Sequence, residues 1–167
     1  MKRWDLSKVT RHPPQTAGLR LRVRVDADCA SLADLWVASW GEAMPDIDFE
    51  ARRQWFLDHL RALKAASAIT ICAVDGFNRL LGFVAFDPAK AYLDQLAVAP
   101  EAKGTGAAKL LLNEARRLSP NGLVLDVNQD NARALAFYAR EGFAKIAEGV
   151  NPRSGLKTWR LRWPANV

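Results

Sequence analysis

A turn with two glycines, Gly104 and Gly106, lies between an apolar run and a helix-forming segment. The apolar run, residues 93–98, stops before Pro100, and strong helix formers begin at Ala107. A strand, a turn and a helix in this order leave backbone N–H groups without partners at the start of the helix. Such a helix start is typical of a phosphate or pyrophosphate site. The sequence therefore predicts an anionic ligand at this turn.

Two common phosphate-binding motifs do not fit the turn. A nucleoside-triphosphate P-loop needs Gly-Lys-Ser/Thr, whereas here Lys103 precedes Gly104. A dinucleotide fingerprint would use Asp126, which lies about 20 residues further on as that motif requires. However, Lys109 occupies its third glycine position, and five residues separate Val98 from Gly104. The glycines of that fingerprint follow their strand directly, so neither motif explains the turn.

A second spaced motif follows in the segment NARALAFYAREGF. It contains Asn131, Ala134, Tyr138, Gly142 and Phe143. Together with the turn segment VAPEAKGTGAAKLL, it resembles the two signatures of the GNAT superfamily of N-acetyltransferases. The family writes its loop as Gln/Arg-x-x-Gly-x-Gly/Ala. The two motifs and the order of elements cover nearly the whole chain.

The resemblance implies acetyl-CoA as co-substrate and no metal. The CoA pyrophosphate would bind the turn, where glycines allow backbone conformations closed to side chains, and the pantetheine arm would pair with the preceding strand. The implied cofactor-binding residues are Leu96, Ala97, Val98, Lys103, Gly104, Thr105, Gly106, Ala107, Asn131 and Tyr138. Glu101 departs from the family's Gln or Arg. Its carboxylate would repel a pyrophosphate unless it points to solvent.

Catalysis by direct transfer needs an acid and a base. The position of Tyr138 matches the general acid of the family, and a phenol can protonate the departing thiolate. For the base, Asp94 on the strand and Glu42 in an acidic segment both stay open, either directly or through an ordered water. The thiols of Cys29 and Cys72 lie in apolar contexts, and we expect them to be free and reduced.

The segment 41–50 indicates the acceptor. It carries only acidic charges, Glu42, Asp46, Asp48 and Glu50, near Trp40, Met44 and Phe49. We expect these acids to border the acceptor cleft and to favour a cationic amine with apolar bulk. A small amine, an amino-acid derivative or a peptide amine would fit. Two alternatives stay open: a macromolecular acceptor, such as a protein amino terminus or aminoacyl-tRNA, and a non-catalytic CoA-binding regulatory domain.

The elements that must position these residues follow from hydrophobic periodicity. The run 19–25 alternates Leu or Val with Arg, which predicts a strand with a solvated basic face, as does 158–163. Asp28 and Asp48 are the expected N-caps of the two helices that follow. The order β-α-α-β-β-β-α-β-α-β-β predicts an α/β (α+β) fold: a mixed, mostly antiparallel sheet of six or seven strands with helices on both faces.

The net charge of +6 is concentrated at one end. Residues 1–25 hold seven basic residues and one acidic residue, which leaves 17 of each sign in the remainder. We expect 1–18 to be a flexible basic leader and 19–167 to be a single acyl-CoA N-acyltransferase domain. Nucleic acid is not an expected partner of this neutral body. The start of the chain does not resemble a secretory signal, and no run could span a membrane. The sequence therefore predicts a cytoplasmic protein, and the family resemblance suggests a homodimer.

Overall fold

The computed structural model describes residues 18–164, so most of the expected leader lies outside the described residues. The strands are β1 (Arg20–Val23), β2 (Ile69–Val74), β3 (Leu80–Asp87), β4 (Tyr92–Val98), β5 (Leu123–Asn128), β6 (Ala144–Val150) and β7 (Lys157–Trp163). The helices are α1 (Cys29–Ala43), α2 (Arg53–Ala65), α3 (Ala107–Leu118) and α4 (Ala132–Arg140). This order confirms the predicted succession of elements. No helix within the described residues is long and apolar enough to cross a membrane.

The strands form one sheet in the order β1-β2-β3-β4-β5-β7-β6. Neighbouring strands are antiparallel except β4 and β5, which are parallel. The crossover between those two strands is α3, as the strand-turn-helix-strand pattern predicts. The predicted mixed, mostly antiparallel sheet is therefore confirmed.

Two apolar clusters form the core, one on each face of the sheet. On one face, α3 and α4 pack over side chains such as Val84, Phe86 and Leu93. On the other face, α1 and α2 pack over side chains such as Phe83 and Ala97. The alternation of side chains along β3 explains why neighbours Phe83 and Val84 belong to opposite clusters. The sheet thus separates an α1–α2 face from an α3–α4 face.

Of the three arginines predicted to form a solvated face along 19–25, Arg20 is exposed as expected, but Arg22 and Arg24 are largely covered. The Arg22 guanidinium donates to both carboxylate oxygens of Asp28, at 2.7 and 2.8 Å. The side chain of Arg24 is only 6% exposed, and its Nη1 lies 3.2 Å from the Cys29 Sγ. The prediction is wrong here because α1 begins just after β1 and covers these side chains.

Asp28 is also not the side-chain cap expected for α1. Its carboxylate accepts from Arg22 and from the Val25 N–H, and it makes no capping bond to the helix. Asp48 does accept from a backbone N–H, that of Ala51 at 3.0 Å. That bond caps a short 3-10 turn, Glu50–Arg52, and α2 begins directly after it. Both cysteines are free, as predicted, and burial raises the pKa of the Cys72 thiol to about 12.

Candidate active site

The sheet opens between β4 and β5. The ladder between these strands holds one residue pair within residues 18–164, Tyr92 with Val124, supported by the Val124 N–H donating to the Ala91 carbonyl. Beyond this pair the strands separate, whereas β4 remains paired with β3 along its length. The backbone edge of β4 near Leu96 and Val98 therefore has no neighbouring strand and can pair with an extended ligand.

A β-bulge precedes this open edge. The adjacent β3 residues Ala85 and Phe86 pair with Gln95 and Leu93 of β4. Asp94, between these two partners, is therefore an extra residue in β4. A bulge redirects side chains locally. Here both Asp94 and Gln95 contact the α1–α2 face. The Asp94 Oδ1 lies 2.6 Å from the Nε2 of His59 in α2, and the Gln95 Oε1 accepts from a tryptophan of α1.

The glycine turn has the geometry that the sequence predicts. Gly104 and Gly106 have φ angles of +78° and +86°, which side chains disfavour. Thr105 closes the turn internally, since its Oγ1 donates to the Ala102 carbonyl and accepts from the Ala107 N–H. Within residues 18–164, the N–H groups of Gly104 and Gly106 have no acceptor. They are free to bind an anion at the start of α3.

A groove of about 630 Å³, here called the loop groove, runs between this turn and α4. All but one of the cofactor-binding residues predicted from the sequence line it: Leu96, Ala97, Val98, Lys103, Gly104, Gly106, Ala107, Asn131 and Tyr138. Thr105 is the exception. Its hydroxyl donates to the Ala102 carbonyl within the turn, and the residue does not line the groove. Glu101 is exposed and does not line the groove. Its carboxylate therefore stays away from the predicted anion site.

Two basic residues of the loop groove were missed from the sequence. Arg133 and Arg140 lie on α4 and line the groove. Their separation of seven residues places them on one helical face, and this spacing was visible in the sequence. Two lysines that also line the groove are already engaged: Lys103 pairs with Glu42 at 2.9 Å, and Lys109 lies 3.8 Å from Glu141.

Tyr138 is a buried residue of α4, only 6% exposed. Its ring contacts Phe137 and Phe143 edge-on, with each pair of centroids 5.2 Å apart. Its hydroxyl has no hydrogen-bond partner within residues 18–164. Burial raises the pKa of Tyr138 above its ordinary value, so the phenol stays protonated at neutral pH. Asn131 caps α4 by accepting from the Ala134 N–H at 3.1 Å.

A small cavity of about 130 Å³, the junction cavity, lies beside Tyr138. Tyr138 and Asn131 are shared between this cavity and the loop groove, while Asp94 and Trp40 line it from the other elements. The structure thus brings Asp94 and Tyr138 to one cavity. Glu42 does not line it, because its carboxylate is held by Lys103 at the loop groove.

A third cavity of about 560 Å³, the aromatic pocket, opens on the far side of Asp94. Its apolar lining includes Trp36, Trp40, Met44, Ile47, Phe49 and Trp55. None of the four acids of segment 41–50, which were expected to border the acceptor cleft, lines this pocket. Three of the four carboxylates have partners outside the pocket: Glu42 binds Lys103, Asp48 caps a turn and Glu50 binds Arg53. The fourth residue, Asp46, is exposed. Only the apolar side chains of the segment face the pocket.

The polar groups of the aromatic pocket come from distant parts of the chain. His59 lies parallel to Trp55, with ring centroids 4.8 Å apart, and bonds Asp94. Asp126 accepts from the Tyr92 hydroxyl at 3.0 Å and from the guanidinium of Arg160, which lowers the pKa of Asp126. Nothing in the sequence around His59 indicated its contact with Asp94, 35 positions away.

Together these features define a class of protein. A glycine turn at a helix start, an open strand edge beside it and a buried phenol at their junction are suited to an acyl-CoA-dependent transferase. A family model described as Acetyltransferase (GNAT) family matches residues 29–143. The chain belongs to this acetyltransferase family, which confirms the predicted family.

Curated and solved proteins are consistent with this assignment. Peptidyl-lysine N-acetyltransferase YiaC of Escherichia coli is 34% identical over 87 residues, which are 52% of this chain and 58% of YiaC. The chain thus spans little more than half the length of that relative. The solution structure of apo-form YjaB from Escherichia coli has a TM-score of 0.71 at 22% identity, covering 88% of this chain and 98% of YjaB.

A complex with the cofactor itself has the same fold. The PaiA N-acetyltransferase of Thermoplasma acidophilum, solved with coenzyme A, has a TM-score of 0.70 at 18% identity. It covers 86% of this chain and 97% of PaiA. At such identities the likeness extends to the fold, and the predicted GNAT-like fold is confirmed.

Proposed function

We propose that the protein moves an acetyl group from acetyl-CoA to a primary amine by direct attack. The observation that carries the proposal is the junction cavity, where the Asp94 carboxylate and the Tyr138 phenol line the same space. The loop groove adjoins this cavity through Tyr138, and the aromatic pocket adjoins it through Asp94. A thioester entering from one side and an amine from the other would meet between a base and an acid.

The loop groove would hold the cofactor. The free N–H groups of Gly104 and Gly106 and the start of α3 would bind the pyrophosphate. The open edge of β4 at Leu96–Val98 would pair with the amide groups of the pantetheine arm. Asn131 contributes its carboxamide N–H, because only its oxygen is used in capping α4. This arrangement would direct the thioester into the junction cavity.

Asp94 is the proposed base. An acceptor amine arrives as an ammonium ion, and Asp94 would take its proton. The neutral amine then attacks the thioester carbonyl carbon, forming the C–N bond, and the C–S bond breaks as the tetrahedral intermediate collapses. Tyr138 would donate its phenolic proton to the departing thiolate, and the second proton, which the nitrogen loses as the amide forms, would restore the phenol. His59 would act as a positioning residue, because it holds Asp94 but lines only the aromatic pocket.

The aromatic pocket would hold the acceptor. Its tryptophan and phenylalanine rings suit the apolar stem of an amine, either a small amine, an amino-acid derivative or a lysine side chain in a peptide. The name of YiaC, a peptidyl-lysine N-acetyltransferase, supports the last of these. We further propose a cytoplasmic location, where acetyl-CoA is available, and one acyltransferase domain over residues 19–167.

The test is a thiol-release assay with acetyl-CoA and a panel of amines and lysine peptides, on the wild type and on Tyr138→Phe. Loss of the general acid lowers kcat by roughly a hundred- to ten-thousand-fold. The stabilisation of the protein by CoA, measured as a shift in Tm, should persist in the variant. An unchanged kcat would refute the role of Tyr138. CoA binding with no acceptor consumed would favour a regulatory CoA-binding domain instead.

A further inference from the structure

The charged groups of the aromatic pocket are unequally matched. Of its acids, Asp126 pairs with Arg160 and Asp94 bonds His59. Two further arginines, Arg52 and Arg153, also line the pocket. Within residues 18–164 neither of these two makes an ion pair, and neither does the remaining acid of the pocket, Glu148. The pocket therefore holds two guanidinium groups that are not paired with a carboxylate.

Aromatic rings hold both guanidinium groups in place. The Arg153 Cζ lies 3.7 Å from the centroid of the Trp55 ring, and the Arg52 Cζ lies 5.5 Å from that of Phe49. A guanidinium stacked on a ring keeps its N–H edge free for other partners. The ring of Trp36 contacts both Phe49 and Trp55. A continuous aromatic surface thus joins the two charged groups.

The neighbouring arginines of α2 are paired. Arg53, adjacent to Arg52, binds both Glu50 and Asp34, and Arg61 binds Asp58. Nearby carboxylates are thus occupied by arginines outside the pocket. Isolated charges on an apolar surface favour a ligand of opposite sign, and a planar guanidinium suits a carboxylate in particular.

We propose that Arg52 and Arg153 form a carboxylate-binding subsite, so that the preferred acceptor carries a carboxylate at the end of an apolar stem, opposite its amine. The inference rests on the proposed function for the amine end, which would lie at Asp94. It adds a negatively charged group to the cationic amine with apolar bulk that the sequence led us to expect. The carboxylate belongs either to a free amino-acid derivative or to an acidic side chain beside the target amine in a peptide.

The experiment compares acceptors that differ only in this charge. Nα-acetyl-lysine and its carboxamide present the same amine, with and without the carboxylate. The wild type should prefer the carboxylate by about ten-fold or more in kcat/KM, as expected for a charge-assisted hydrogen bond. Lysine peptide amides with glutamate or glutamine beside the lysine form a second pair. Preference within the second pair alone would assign the carboxylate to a peptide side chain.

The variants Arg52→Gln and Arg153→Gln should each remove most of this preference, because they should lower kcat/KM for the carboxylate acceptor far more than for the carboxamide. Arg61→Gln is the matched control, because Arg61 is exposed, pairs only with Asp58 and does not line the pocket. It should keep the wild-type preference. Equal kcat/KM for the charged and neutral acceptors of both pairs in the wild type, or equal losses for both charges in the variants, would overturn the subsite.

A binding measurement separates this proposal from the proposed function. Quenching of tryptophan fluorescence reports on ligands in the aromatic pocket, since three tryptophans line it. If no amine is acetylated but Nα-acetyl-lysine binds better than its carboxamide, and Arg52→Gln removes the difference, the subsite stands without the activity. If the charged and neutral members of both acceptor pairs bind equally, or none of them binds, the subsite is refuted even where amines are acetylated.

Discussion

Replacing His59 tests whether the Asp94 contact serves catalysis. The Nε2–Oδ1 distance of 2.6 Å is slightly shorter than the distance of about 2.7 Å at which charge-assisted N–H···O hydrogen bonds begin. Such bonds contribute about 1.5–3 kcal/mol, and 1.36 kcal/mol corresponds to a factor of ten in rate. The side chains of His59 and Asp94 are 25% and 20% exposed, so solvent weakens the contact. We therefore expect the lower end of this range, a loss of about ten-fold in kcat.

Two substitutions separate the hydrogen bond from the ring contact with Trp55. His59→Phe keeps a ring against Trp55 but removes the nitrogen that bonds Asp94, and it should show the full loss in kcat. His59→Gln removes the ring but retains a side-chain N–H, and it should recover part of the rate. The KM for acetyl-CoA should change in neither variant, because His59 does not line the loop groove.

Steady-state kinetics with acetyl-CoA and a saturating amine provide the assay. Asp94→Asn should lower kcat by roughly a hundred-fold or more, as expected for loss of a general base. Adding His59→Phe to Asp94→Asn should cost little more, because residues in direct contact act non-additively. A wild-type kcat in His59→Phe, or fully additive losses in the double variant, would refute the positioning role.

Two further predictions concern cofactor affinity and acid stability. Glu101→Gln should leave the Kd for CoA nearly unchanged, because Glu101 is exposed away from the loop groove. Glu42→Gln should lower the Kd for CoA by up to about five-fold, because it releases Lys103 from an ion pair worth at most about 1 kcal/mol. Calorimetric titration measures both Kd values, and the opposite ranking would contradict the assignment of the groove. The hydrogen bonds from Arg22 hold the pKa of Asp28 below its usual value, so its contribution to stability is complete above about pH 4 and is lost as the pH falls through the folded-state pKa. Denaturant unfolding between neutral and acidic pH should therefore show a weaker pH dependence in Asp28→Asn than in the wild type, and identical slopes would exclude the linkage.

The sequence predicted the elements and the loop groove because both depend on local signals. Hydrophobic alternation and helical spacing arise within a few residues, and they indicated every strand and helix in order. The turn was recognisable because a left-handed backbone conformation favours glycine, as at Gly104 and Gly106. Even the two missed arginines of α4 had a local signature in their spacing.

The sequence alone was misleading where packing between distant segments decides which way a side chain points. The arginines of β1 alternate as a solvated face would, yet Arg22 is held by Asp28 beneath α1. The acids of segment 41–50 suggested an acidic cleft, but only their apolar neighbours face the aromatic pocket. Charge in a sequence indicates that a group needs water or a partner, but not which of the two it has.

The sequence by itself therefore determined the fold, the family and the glycine turn, because these are encoded in short-range patterns and motifs. The tertiary structure alone decided the surroundings of Asp94 and the aromatic pocket. The bulge in β4 directs Asp94 toward α2, where it meets His59, and the β6–β7 connection carries Arg153 over Trp55. These contacts join segments far apart in the sequence, and they exist only once the sheet and its two helical layers have packed together.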